Sequence, residues 1–121
     1  MKYMLLAYTR KADWDAVDTS SPEFLAMCEF YDRLTEELTG SGELVSTEGL
    51  ADPALTRTIR KGEGGALVSD GPYAESKEVL ASFSILDCAS HDRVMDIAAR
   101  IVEAVGDTIE VRPIPDGDPA G

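Results

Sequence analysis

Two short stretches, residues 2–8 (KYMLLAY) and 79–86 (VLASFSIL), carry apolar side chains on both sides of an extended backbone, and this limits what the rest of the chain can build. Side chains alternate across a strand, so Tyr3, Leu5 and Ala7 face one way in the first stretch while Met4, Leu6 and Tyr8 face the other. In the second, Val79, Ala81, Phe83 and Ile85 share one face. Leu80, Ser82, Ser84 and Leu86 share the other, which is smaller and more polar at its middle. Strands of this kind belong inside a layered structure with cover on both faces.

Two segments carry the helical period instead. Ser21-Pro22-Glu23 is a helix start: a capping hydroxyl, a proline where no N–H is needed, and an acid at the positive end. Phe24, Cys28, Tyr31, Leu34 and Leu38 follow at helical spacing, with Leu25 and Met27 widening the stripe, and Gly40-Ser41-Gly42 ends it. Ser90 caps a second helix with Asp92 in its first turn. Val94, Ile97, Ala98, Ile101, Val102 and Val105 make its stripe, and Gly106 stops it.

The remaining segments read as strands and turns. Residues 43–47 form a short strand. Residues 55–60 and 65–69 flank Gly62-Glu63-Gly64 as a hairpin, and residues 108–114 form the last strand. Residues 9–21 read as a polar loop holding the one tryptophan, Trp14, which either anchors the loop on the core or lids a site. The order is strand, helix, strand, hairpin, strand, helix, strand. The fold class expected is α+β: a ferredoxin-like antiparallel sheet with two helices on one face and an extra β-hairpin. Helices on one side leave the other sheet face open, and a second copy is the economical cover, so a homodimer is expected. Residues 1–114 make a single domain, and residues 115–121 a flexible Pro/Gly/Asp tail.

Composition narrows the partners. The 121 residues carry a net charge of -12, which disfavours nucleic acid and anionic membrane, since both need a positive footprint. The densest basic group is Arg57, Arg60 and Lys61. The apolar run at residues 3–8 is too short for a signal-peptide core, nothing approaches spanning length, and a cytoplasmic location is expected. Cys28 and Cys88 stand apart with no C-x-x-C and read as free thiols; with one histidine, a zinc site is disfavoured. An all-carboxylate Mg²⁺ or Ca²⁺ site is open by count, but no EF-hand loop is present, and the cofactor stays unknown.

The segment that begins at Asp70 is the main functional candidate. Gly71-Pro72 is a turn signal, and an aspartate in a turn usually bonds the N–H two residues on. That residue is Pro72, which has none. Asp70 must then find the Tyr73 N–H, a basic side chain (Arg60 or Lys77), or water.

DGPYAESKE at residues 70–78 resembles the DGPF motif of the YCII-related (DGPF-domain) family. KYMLLAY followed by Trp14, TRTIRK at 56–61 and TIEVRPI at 108–114 are similar to other parts of that family's pattern. The resemblance implies a dimeric α/β barrel, two sheets packed face to face across a two-fold axis. Family members are often encoded beside extracytoplasmic-function sigma factors, which implies an accessory role. Tyr73 replaces the family's phenylalanine, so its ring rather than its hydroxyl matters, and Ala81-Ser82 stand where glycines are common.

Asp70 is the candidate for acid/base chemistry or substrate anchoring, against a carboxylate that only braces a turn. Arg60, on the arginine of the family's T-x-R pattern, either holds an anionic ligand or sits in a surface ion pair. Glu75 and Lys77 match the family's A-E-[ST]-K and either line a site or neutralise each other. Tyr73, Trp14 and Arg112 complete the ligand-binding candidates; Arg112 lies opposite the Val111 stripe and, if half-buried, needs a partner. His91 sits just after a helix cap and reads as an exposed surface residue. The expectation is a small acidic homodimer with a small-molecule pocket near the DGPY turn, using Asp70. The alternative is a non-catalytic binding or regulatory accessory protein associated with sigma-factor signalling.

Overall fold

Residues 1–73 and 76–116 are described by a computed structural model of the chain. In order, the elements are β1 (Lys2–Arg10), α1 (Lys11–Asp15), α2 (Pro22–Gly40), β2 (Leu44–Gly49), a 3-10 turn (Pro53–Leu55), β3 (Arg57–Gly62), β4 (Gly65–Asp70), β5 (Glu78–Asp87), α3 (His91–Val105) and β6 (Thr108–Ile114). β1 is central and pairs antiparallel with β5 and β6; β2 pairs with β5, giving the order β2-β5-β1-β6. This α+β arrangement is compatible with a ferredoxin-like fold, with the β3–β4 hairpin as a separate two-stranded sheet inserted before β5.

The helices form where the sequence caps them. Ser21 Oγ accepts the Phe24 N–H at 3.1 Å, and Ser90 Oγ accepts the Arg93 N–H at 3.1 Å. Gly106 ends α3 at φ 78°, a left-handed conformation that costs a side-chain-bearing residue about 1 kcal/mol or more. α3 buries Val94, Ile97, Ala98 and Ile101, the inner part of its predicted stripe; Val102 stays 39% exposed. α2 buries only Leu34 and Leu38, while Phe24, Cys28 and Tyr31 are half-buried, so its C-terminal half carries most of the packing. These side chains close on Tyr3, Leu5, Leu86 and Cys88 to make the core. Each fully buried Leu, Ile or Val contributes roughly 1.5–3 kcal/mol.

Both helices therefore lie on the sheet face of Tyr3, Leu5 and Ala7. On β5 the residues under them are Leu86 and Ser84, so the smaller, more polar face is the covered one. Phe83 and Ile85 point to the open face with Leu6 and Met4. The faces read from alternation need one correction. Ala7 pairs with Ser82 but Tyr8 pairs with Leu80, and the extra residue, Ala81, is a β-bulge. The bulge moves Val79 to the helix side, where it is buried, and Leu80 to the open face beside Tyr8.

Other boundaries moved as well. β1 runs on through Arg10, and the expected loop after it starts with α1, closed by Arg10–Asp13 (3.0 Å) and Lys11–Asp15 (2.8 Å) ion pairs. The hairpin's first strand begins at Arg57 because Asp52 Oδ1 accepts the Ala54 N–H and holds Pro53–Leu55 in a 3-10 turn. Residues 115 and 116 are exposed and irregular, and the rest of the expected tail lies outside the described residues.

Candidate functional site

The open sheet face is built from cross-strand rows. Arg112, Met4 and Ile85 form one row; Glu110, Leu6, Phe83 and Glu48 the next; Thr108, Tyr8 and Leu80 the third. Its middle is apolar and its edges, β6 and β2, are charged. Neither α2 nor α3 covers it, since both pack on the opposite face. Polar links run across it: Thr108 Oγ1 donates to Glu78 Oε1 at 3.1 Å, and the Tyr8 phenol interacts with the Glu110 carboxylate, which raises the phenol's pKa, with burial and the nearby negative charge adding to the effect. Arg112 stands exposed at the β6 edge, opposite Met4. The third row lies near the start of β5, because Arg10 pairs with Glu78 and the Lys11 N–H donates to the Lys77 carbonyl at 2.7 Å.

The DGPY turn itself sits at the base of the hairpin. Asp70 ends β4 directly opposite Arg57, whose guanidinium donates to Asp70 Oδ1 at 2.5 Å. The pair is exposed, 62% for the Arg57 side chain and 83% for Asp70. The expected partners Arg60, Lys77 and Tyr73 N–H are thus replaced by Arg57. The register gives the reason: Arg60 pairs with Leu67, three residues along and on the other face of the hairpin. Gly71 has φ 89°, which favours glycine. Its N–H donates to the Thr56 carbonyl at 2.7 Å and its carbonyl accepts from Thr58 Oγ1 at 2.8 Å, so the turn is fastened to the start of β3.

The sequence candidates do not converge. Tyr73 is 77% exposed, Lys77 and Arg60 are exposed, and Trp14 is half-buried on α1. Glu75 lies outside the described residues. Arg112 belongs to the open face and not to the turn. His91 opens α3, exposed, with its ring 6.0 Å from that of Tyr3. A cavity of about 740 Å³ lies between α2 and α3, lined by Met27, Phe30 and Leu34 together with Arg33 and Arg100. Its arginines are already paired, Arg100 with Glu37 at 2.7 Å and Arg33 with Glu29 at 3.4 Å. Among the described residues no group of three or more histidine, cysteine or carboxylate side chains is placed to hold a metal ion.

Two charged clusters escaped the sequence reading. Glu43, just before β2, takes two hydrogen bonds from Arg93 in the first turn of α3, Nε to Oε2 and Nη2 to Oε1, both 2.9 Å. Ser41 Oγ adds a third at 2.7 Å. The Arg93 and Ser41 hydrogen bonds pull the Glu43 carboxyl down to about 2, and Glu43 in turn raises Arg93. The neighbouring Cys88 thiol is raised, chiefly by burial and then by Glu43. At the other end of the molecule Thr9 Oγ1 donates to Asp107 at 3.0 Å, and burial raises that carboxyl despite the bond. Burial, then the Asp107 charge, pushes the Tyr31 phenol up to about 12. Neither cluster has a sequence signal, because the groups that meet in it come from elements far apart in the chain.

The family model for the YCII-related domain matches residues 1–116. The chain belongs to the YCII-related family. This YCII-related chain is also similar to an uncharacterized protein of Rhizobium meliloti (strain 1021), 38% identical over 76 residues. That match covers 61% of this chain and 61% of the relative, less than two thirds of its length. The relative's description names no activity, so the YCII-related match fixes kinship, and the reading of function rests on the geometry above.

Proposed function

We propose that this YCII-related protein is a cytoplasmic small-molecule-binding homodimer, two copies packed by their open sheet faces in the manner of a dimeric α/β barrel. The ligand site lies at the Tyr8–Leu80–Thr108 end of that face, beside the entry of the DGPY segment into β5. The observation that carries this reading is the open face: Met4, Leu6, Leu80, Phe83 and Ile85 form a continuous apolar strip over which neither α2 nor α3 packs. A contiguous strip of this kind on a soluble domain marks an interaction surface. Tyr8 and Glu110 supply the few directed polar groups that a pocket needs for orientation, while Arg112 stands at the far end of the face. No helix among the described residues is long and apolar enough to cross a membrane.

Binding is favoured over acid/base chemistry at Asp70. A general acid works from a cleft that perturbs it, whereas Asp70 is largely exposed and occupied by Arg57. The non-catalytic reading also agrees with an accessory role in sigma-factor signalling. Light scattering coupled to gel filtration is expected to give a dimer at micromolar concentration, and Leu6→Arg a folded monomer. Native mass spectrometry and melting against a metabolite collection are expected to give a ligand whose shift is lost in Tyr8→Phe. A monomeric wild type refutes the dimer; a dimer that no compound stabilises refutes the site.

A further inference from the structure

The β3–β4 hairpin is the least explained part of the molecule. Its strands pair only with each other, and every residue of β4 is exposed. Two six-residue strands project roughly 20 Å at about 3.4 Å per residue. Two-stranded hairpins are marginal by themselves and need packing on one face. The two faces differ. On one, Leu67 lies over Gly62, so close that a Cβ there would sit 2.7 Å from Leu67 Cγ. That leucine is used within the hairpin. On the other, Ile59 and Val68 are direct cross-strand partners, 66% and 64% exposed, with Lys61 beside them.

Charge distinguishes the hairpin from everything else in the chain. It holds three of the 11 basic residues and two of the 23 acidic ones. The remainder is left with eight basic and 21 acidic residues, a net charge of -13 against +1 for the hairpin. Within the hairpin Arg57 is taken by Asp70, and Arg60 and Lys61 have no carboxylate within ion-pair distance among the described residues. Of these two, Lys61 shares the Ile59–Val68 face, while Arg60, opposite Leu67, is on the other. The surface best matched to an apolar pair flanked by an uncommitted lysine is an acidic one, and the body of this same chain is strongly acidic.

We propose that the hairpin is an arm whose Ile59–Val68 face docks on the acidic body of the second copy in the homodimer. The proposal rests on the dimer reading given above and adds a second contact to it. Because Ile59 and Val68 lie outside the core, replacing them leaves the body of the domain intact. Attraction between Lys61 and an acidic surface is screened beyond about 8 Å at physiological ionic strength, so added salt weakens the arm's contribution to the dimer.

The test is the dimer dissociation constant, measured by sedimentation for the full chain and three variants, each checked by circular dichroism and melting. Ile59→Ser combined with Val68→Ser is expected to weaken the dimer at least about tenfold, and Lys61→Glu to weaken it more than about twofold and to reduce the affinity it loses on addition of salt. Thr58→Ser is expected to stay within about twofold. Hydrogen exchange supplies a readout independent of the variants: protection across 57–70 in the wild type is expected to rise as concentration passes through the dissociation constant. A wild-type dimer with all three variants within about twofold, and no concentration-dependent protection in 57–70, overturns the arm and leaves the sheet-face dimer standing. A wild type that remains monomeric overturns both.

Discussion

Glu43 and Arg93 tie the end of α2 to the start of α3, and the strength of that tie can be measured by replacing Glu43 with glutamine. The Glu43 side chain is only 15% exposed, and its carboxyl titrates near 2 where an ordinary glutamate titrates near 4.5. The folded pKa is depressed, so the stabilisation is complete above the unfolded value and disappears as pH falls through the folded one. At about 1.4 kcal/mol per unit, the ionised carboxylate contributes about 3 kcal/mol at neutral pH and about 1 kcal/mol at pH 3. Glu43→Gln keeps the shape and removes the charge, so urea unfolding of wild type and variant is expected to differ by about 3 kcal/mol at pH 7 and about 1 kcal/mol at pH 3. The midpoint and not the slope is expected to move, since the exposed area on unfolding is unchanged. A difference below about 0.5 kcal/mol at pH 7 refutes the reasoning, because it equates this half-buried fork with an ordinary surface pair. A difference that stays constant between the two pH values refutes it as well, because the loss would then lie in packing.

Asp70→Asn removes a largely exposed pair and is expected to cost under about 1 kcal/mol in chemical unfolding, while a loss of several times that would make the Arg57–Asp70 contact a structural anchor. Ile97 is fully buried, so Ile97→Ala is expected to cost 2–5 kcal/mol, against about 0.5 kcal/mol or less for Val102→Ala on the outer side of the same helix. The Asp107 carboxyl is raised by burial, so its ionised form destabilises the folded state above its folded pKa, and the penalty vanishes as pH falls to the ordinary carboxylate range. Asp107→Asn, which still accepts from Thr9, is therefore expected to melt at or above wild type at pH 7 and to lose that advantage near pH 4; a lower melting temperature at neutral pH refutes this.

The elements that were legible in the chain are those whose signals are local and redundant. Ser90, the apolar stripe through Ile101 and Gly106 each point to α3, and residues 108–114 alternate cleanly as β6. The bulge at Ala81 left no mark, because an extra residue among Val79, Leu80, Ala81 and Ser82 changes the pairing and not the composition. α1, with five residues, is too short for a helical period. Asp70's partner depended on hairpin register. Reading Gly62-Glu63-Gly64 as a loop leaves the pairing open, while the Gly62–Gly65 pair aligns Arg57 with Asp70. The charged fork of Glu43 and Arg93 joins residues fifty positions apart, a distance over which side-chain pattern carries no information.

The place of β1 in the sheet also bears on how the chain is made. Leu5 pairs with Ser84 on one side and Val111 on the other, so both neighbours of the central strand are translated long after it. Closing such long loops slows folding, and at roughly 5–20 residues per second β1 waits several seconds for its first partner. During that interval its two apolar faces have no native strand to pair with. α2 and the hairpin can form locally while the chain is still emerging, but the sheet cannot be completed until β6 has been synthesised. Assembly of this protein on the ribosome is therefore expected to be late and abrupt, with a nascent β1 that is a natural binding site for chaperones that recognise short apolar segments.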